Sequence, residues 1–166
     1  EGMMAIVKGA LPRALFGPDG CGRRSGLLEV PARVAQATAP IAFRIEDMLA
    51  QLVDAEANPE IGGLRSITLG PAALDTIRLD VAQIPAGGRS APIQETANSV
   101  FAVMQGDGVF HVAGQAMPCR FGDTIAMPSW REFHFEAGET GALLLKVSDR
   151  TVMEKLGWYR NGAANR

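Results

Sequence analysis

GGRSAPIQETANSVFAVMQG, residues 87–106, and GDTIAMPSWREFHFEA, residues 122–137, are the stretches that decide the fold. Each opens at a glycine and passes into a run rich in β-branched, aromatic and aliphatic residues, which is typical of a strand. From residue 63 onward, similar short runs are separated by breaks rich in Gly, Pro and Asp. Seven or eight strands at this spacing predict a β-sandwich or a small barrel.

The predicted strands are, in chain order, LRSITLG, LDTIRLDVAQIP, SVFAVMQG, GVFHVAG, QAMPCR, DTIAMP, EFHFEA and ALLLKVS. Gly106-Asp107-Gly108 lies between the third and the fourth and predicts a hairpin turn. Gly122-Asp123 predicts another turn, just before an apolar strand. The predicted fold class is therefore all-β.

Two helices are predicted beside the strands. The first has the apolar stripe of an amphipathic helix and ends at Asn58-Pro59; the stripe is Ile45, Met48, Leu49, Leu52 and Val53. The second is short, begins at a cap on Ser148 or Asp149 and ends at Gly157. Its predicted apolar face consists of Val152 and Leu156, with Met153 as a third candidate. The predicted organisation is an arm over 1–40, a linker helix over 41–60, and a barrel with a C-terminal helix over 61–166.

Composition excludes several classes of protein. A chain of 166 residues with net charge −2 and no basic run is not expected to bind nucleic acid. No apolar stretch approaches the roughly 20 residues that a membrane helix needs. We see no secretion signal, and two cysteines do not make a disulfide framework. These features predict a cytoplasmic protein.

The first quoted stretch resembles the first half of the cupin metal-binding signature. That half consists of Gly, five residues, His, one residue, His, three or four residues, Glu, six residues and Gly. Gly87 and Gly106 fall on register, but the three ligand positions hold Ile93, Glu95 and Ser99.

The second stretch resembles the other half of the same signature: Gly, five residues, Pro, one residue, Gly, two residues and His. Gly122 and Pro128 match, whereas Trp130 replaces the glycine and Phe133 replaces the histidine. The glycines and the proline of a metal cupin are thus present without its ligands. From this we expect no metal at these positions and no cofactor.

A narrower resemblance is carried by SAPIQETANSVFAVMQGDG, FGDTIAMPSWREFHFEA and VSDRTVMEKLGWYR. These segments are similar to the C-terminal cupin half of the gentisate 1,2-dioxygenase family, whose members cleave gentisate, salicylate or 1-hydroxy-2-naphthoate rings. The resemblance implies a double-stranded β-helix of the jelly-roll kind. It also implies that a full-length relative carries two cupins and holds iron mainly in the N-terminal one.

Two interpretations of the barrel interior follow. In one, Ile93 and Phe133 join Phe101 in a packed apolar core. In the other, the same residues line a shallow pocket with polar contacts, which is typical of a small-ligand site; its polar members are Glu95, Ser99, Arg131 and His134. Glu95 is expected either to pair with a cation inside the barrel, such as Arg131, because an unpaired buried carboxylate is costly, or to point to solvent at the rim.

The chain has only two histidines, His111 and His134. Since strand side chains alternate, His134 is expected to point outward if Phe133 points inward. A register slip would turn it inward and let it bind Fe(II) with Glu95. The facing of His111 is left open.

The main functional hypothesis is a metal-free cupin that binds a small molecule, such as an aromatic acid, or acts as an accessory protein rather than an enzyme. The alternative is a gentisate-type ring-cleaving dioxygenase with non-standard Fe(II) ligands, or a subunit of a split two-cupin enzyme. A third possibility is a structural scaffold with a filled barrel. A homodimer is expected, because a lone barrel leaves sheet edges that a partner can cover.

Overall fold

The computed structural model describes residues 42–70 and 76–162. The predicted arm over 1–40 lies outside these ranges. The first predicted helix, α1, is present at Ile45–Val53 and buries Met48 and Leu52. It ends at Val53, before the predicted Asn58-Pro59. Asn58 is extended, and its side chain accepts a hydrogen bond from the Glu60 backbone N–H at 3.0 Å at the start of a separate 3₁₀ turn.

Seven strands make up the rest of the described fold, and their pairing is antiparallel throughout. They are β1 Ala57–Asn58, β2 Leu64–Thr68, β3 Arg78–Ile84, β4 Ser99–Val112, β5 Gln115–Arg120, β6 Thr124–Met127 and β7 Phe133–Ser148. Their order is β1-β2-β3-β7-β4-β5, with β6 also beside β4. The prediction of an all-β fold is confirmed.

The hairpin predicted at Gly106-Asp107-Gly108 is wrong. These residues lie within β4, where the register against β7 shifts twice, so two predicted strands are one long bulged strand. Gly106 has φ +77°, and a Cβ there would lie 1.9 Å from the carbonyl oxygen of Gly141. The glycine therefore permits a bend and a close backbone approach rather than a turn. The hairpin falls instead at Ala113-Gly114, between β4 and β5.

The two long strands, β4 and β7, run through the whole barrel and pair with each other along their length. The first half of β4 pairs with β6 and with the end of β7, whereas its second half pairs with β5 and the start of β7. Inward-facing residues of every part meet in one apolar cluster. Phe110 and Phe135 are fully buried at its centre, with ring centroids 4.7 Å apart. This cluster closes the interior of the barrel.

A smaller apolar cluster covers the outer face of the sheet. Met48 and Leu52 of α1 pack against Val81 of β3 and Leu143 of β7. Of the predicted apolar stripe of α1, Ile45, Met48, Leu49 and Leu52 pack in this cluster, whereas Val53 is 69% exposed.

The C-terminal helix, α2, is present at Arg150–Lys155, but its predicted apolar face is wrong. Leu156 is 51% exposed, while Arg150 is buried. The Arg150 guanidinium donates to Glu60 at 2.6 Å and to Glu154 at 2.7 Å, so ion pairing, not an apolar stripe, attaches this helix. Neither described helix is long or apolar enough to cross a bilayer.

Candidate metal centre on the outer face of the barrel

The two signature stretches lie side by side. The chain before β4 runs along the first half of β7, where Ile93 and Phe133 exchange backbone hydrogen bonds of 2.8 and 2.9 Å. Both side chains are buried, and the Phe133 ring lies 5.4 Å from that of Phe101. These positions therefore contribute apolar packing to the barrel interior.

Glu95 also points into the barrel, but its partner is not the expected Arg131, which is exposed. Lys146 of β7 donates to Glu95 Oε1 at 2.5 Å, and both side chains are 3% exposed. Ser99 donates to the same oxygen at 3.2 Å, and Tyr159 donates to Oε2 at 3.1 Å. Burial and the neighbouring Glu95 charge raise the pKa of Tyr159, so it remains a phenol donor.

The interior signature positions do not fit a metal ion. Among Ile93, Glu95, Ser99 and Phe133, only Glu95 has a side chain that commonly binds metal ions. Both of its carboxylate oxygens already accept hydrogen bonds from protein donors. The Lys146 ammonium supplies the positive charge that this carboxylate needs. A divalent ion beside Lys146 would meet strong repulsion.

The outer face of the same strands carries a different set of side chains. Along β7, Phe133 and Phe135 point inward, so His134 and Glu136 point outward. The outward position of His134 is as expected from strand alternation. His111 of β4 lies directly opposite His134 in the register, and the two rings stack at 4.5 Å between centroids and 9° between planes.

Glu136 joins this pair into a three-residue group. His111 Nε2 lies 3.2 Å from one Glu136 carboxylate oxygen, and His134 Nε2 lies 3.8 Å from the other. One ligand atom from each residue can be chosen so that all lie within 4.8 Å of one another. Two imidazoles and one carboxylate form the donor set of many non-haem Fe(II) sites and leave coordination positions open.

Arg89 lies at the edge of this group. It forms an isolated backbone bridge with Glu136, and its guanidinium lies 3.2 Å from Glu136 Oε1 and 2.9 Å from His134 Nε2. Partial burial, the Arg89 charge and His111 lower the pKa of His134 below its usual value, although Glu136 opposes the shift. The His134 imidazole is therefore neutral, which is the state that binds a metal.

A cavity of about 630 Å³ adjoins Glu136 on the same face. Val109, Pro118 and Ala137 form part of its lining. The charged residues Arg120, Asp107 and Asp123 line it too. Its volume falls in the range of small-molecule sites, roughly 300–1,000 Å³.

The topology and the paired signature stretches define a cupin fold. No family model matches the chain. It is similar to a gentisate 1,2-dioxygenase of Streptomyces, with 33% identity over 93 residues, covering 56% of this chain and 26% of that protein. A 5-aminosalicylate 1,2-dioxygenase of Comamonas is 34% identical over 68 residues, covering 41% and 18%.

A solved structure similar to this chain is also named as a dioxygenase. The salicylate 1,2-dioxygenase of Pseudaminobacter salicylatoxidans superposes with a TM-score of 0.63 and 25% identity, covering 72% of this chain and 37% of that one. The matched region of this chain spans about a quarter of the length of the Streptomyces relative, at 26%. The predicted resemblance to this group of cupins is confirmed.

These findings correct the expectation of no cofactor. The similar proteins are named as dioxygenases, and the described residues include a group, His111, His134 and Glu136, that could hold a metal ion. The expectation failed because it sought ligands at the signature positions and inside the barrel, and did not combine His134 with His111 and Glu136 on the outer face. Fe(II) binding through His134 and Glu95 is not supported either, since these side chains lie on opposite faces of the barrel wall.

Sequence reasoning missed Glu136 and Arg89. Glu136 could have been found, because His134 and Glu136 are two residues apart in one strand and share a face. His111 lies across from His134, and Arg89 across from Glu136, because of the pairing register of the strands. No local pattern in the sequence specifies that register.

Proposed function

We propose that the chain is a cupin of a gentisate-type ring-cleaving dioxygenase, with a divalent iron bound by His111, His134 and Glu136. The observation that carries the proposal is this two-histidine, one-carboxylate group on a fold similar to salicylate 1,2-dioxygenase. The substrate class proposed is a small aromatic acid, from the names of the similar proteins.

The residues fit such an ion in chemistry and in reach. Glu136 supplies the negative charge, and neutral His134 supplies a lone pair at Nε2. The side chains of His111, His134 and Glu136 are 30%, 19% and 41% exposed, so each is accessible to an ion from solvent. When bound, Fe(II) would supply a redox-active centre with open positions for dioxygen and substrate.

The adjoining cavity supports a place for the substrate. Its apolar wall, including Val109 and Ala137, suits an aromatic ring. Arg120, the cationic residue among those that line the cavity, suits a carboxylate, although Asp107 and Asp123 line it as well. Glu136 borders both the cavity and the metal group, so a ring held there lies beside the proposed centre.

Metal content and turnover test this proposal. Metal-free protein is titrated anaerobically with Fe(II), and oxygen uptake is then measured with gentisate. His111→Ala, His134→Ala and Glu136→Ala are each expected to lose stoichiometric binding, whereas Glu139→Gln, an exposed carboxylate on the same strand, keeps it. Binding that survives all three alanine variants would contradict the proposed centre.

A second candidate is a cupin that acts within a two-cupin enzyme whose other cupin also contributes to catalysis. Two observations favour it: the interior signature positions do not fit a metal, and the similar region covers 26% of the Streptomyces relative. The same titration separates the two candidates. Iron binding by His111, His134 and Glu136 without oxygen uptake supports the two-cupin candidate. Iron binding with ring cleavage by this chain alone supports the first proposal.

A further inference from the structure

Arg89 contacts two of the three residues proposed to bind the metal. Its NH1 lies 3.2 Å from Glu136 Oε1, and its NH2 lies 2.9 Å from His134 Nε2. A guanidinium can only donate hydrogen bonds, so the His134 nitrogen here is an acceptor and its lone pair points toward Arg89. The same lone pair is the one that a metal would need.

Binding of Arg89 and binding of a metal therefore exclude each other at this nitrogen. One imidazole lone pair cannot accept an N–H and coordinate an ion together. A guanidinium this close to a dication would also be strongly repelled. The metal can occupy the group only after the arginine leaves it.

The structure permits that movement. The Arg89 side chain is 57% exposed, so its guanidinium can turn into solvent without opening the core. Its backbone stays fixed beside β7, since Arg89 pairs with Glu136 and Ser90 N–H donates to the Phe135 carbonyl at 2.9 Å. The arginine is thus tethered at the site and can return to it.

We propose that Arg89 is a built-in competitor for the metal: it occupies the ligand atoms of His134 and Glu136 until a divalent cation displaces it. This inference rests on the proposed function. Arg89 neutralises Glu136 in the metal-free protein and sets the metal concentration at which the site fills. Ions that bind imidazole well displace it, whereas Mg²⁺ and Ca²⁺, which prefer oxygen ligands, do not.

The test is titration of metal-free protein with Co²⁺, followed by its visible absorption, and with Zn²⁺ against a competing chelator. Arg89→Met is expected to bind both ions about tenfold more tightly than the unsubstituted protein, because the charged hydrogen bonds and the repulsion are lost. Arg89→Lys should fall between the two. Arg131→Met, which removes an exposed arginine outside the group, should match the unsubstituted protein.

The outcomes distinguish this inference from the function on which it rests. Equal or weaker affinity in Arg89→Met, with binding intact in the unsubstituted protein, overturns the competitor role and leaves the metal centre standing. No binding by either protein refutes the metal centre itself. A thermal melt of each variant confirms that it is folded, and the lysine variant provides a second comparison if the methionine variant is not.

Discussion

Lys146 and Glu95 form an ion pair inside the barrel, with the ammonium nitrogen 2.5 Å from a carboxylate oxygen and each side chain 3% exposed. Glu95 occupies a position where the cupin signature has a metal-binding histidine. The positive charge at this place inside the barrel is therefore the Lys146 ammonium from β7, where a metal cupin has a metal ion.

Removing the lysine alone should be strongly destabilising. Lys146→Met leaves the Glu95 carboxylate buried without a counter-charge, and we expect a loss of about 3–5 kcal/mol in the free energy of unfolding. Glu95→Gln combined with Lys146→Met should recover part of it, because no charge is then buried. Urea denaturation of the two single variants and the double variant measures the coupling; additive losses would show that the pair is not coupled.

Gly106 should not tolerate a side chain. A Cβ at this position would lie 1.9 Å from the Gly141 carbonyl oxygen, and the backbone has φ +77°. Gly114→Ala is a matched control, with φ +84° and no atom within 4 Å of the added carbon. We expect Gly106→Ala to be less stable than Gly114→Ala by at least about 2 kcal/mol, measured by chemical denaturation. Equal losses would mean that the bend in β4 relaxes easily.

Trp130 occupies a signature glycine position and retains a left-handed backbone, with φ +63°. The backbone N–H of Trp130 donates to the backbone carbonyl of Glu95 at 2.6 Å, which helps to hold this conformation. We expect Trp130→Gly to be more stable than Trp130→Ala by about 1 kcal/mol, because both lose the indole and only glycine adopts this φ without strain. A thermal melt of the two variants is sufficient, and an alanine variant of equal or greater stability would contradict the argument.

Stability of the metal-free protein should fall as the pH drops through the range of His134. Burial first, then Arg89 and His111, lower the pKa of His134 below 6.5, the unfolded value. The unfolded chain therefore binds the proton more readily, so stability is complete above pH 6.5 and is lost as the pH falls through the folded pKa. Denaturation in chelator at several pH values should show a weaker slope in His134→Gln. An unchanged slope would assign the effect to other groups.

Local patterns were sufficient for much of the fold. The glycine spacing of the two signature stretches predicted the barrel, and strand alternation predicted that His134 points outward if Phe133 points inward. The hairpin at Gly106 failed, because a glycine that permits a turn also permits a bulge, and only the partner strand at Gly141 decides between them. Homodimerisation and a cytoplasmic location remain predictions.

The sequence by itself determined a β-barrel of the cupin kind without metal ligands at its signature positions, because periodicity and glycine spacing act over a few neighbouring residues. The tertiary structure decided which charges meet. Lys146 reaches Glu95, and His111 stands opposite His134 beside Glu136 and Arg89, through the register of strands that are distant in the chain. Register is set by packing of the whole barrel, so these pairs depend on the complete fold.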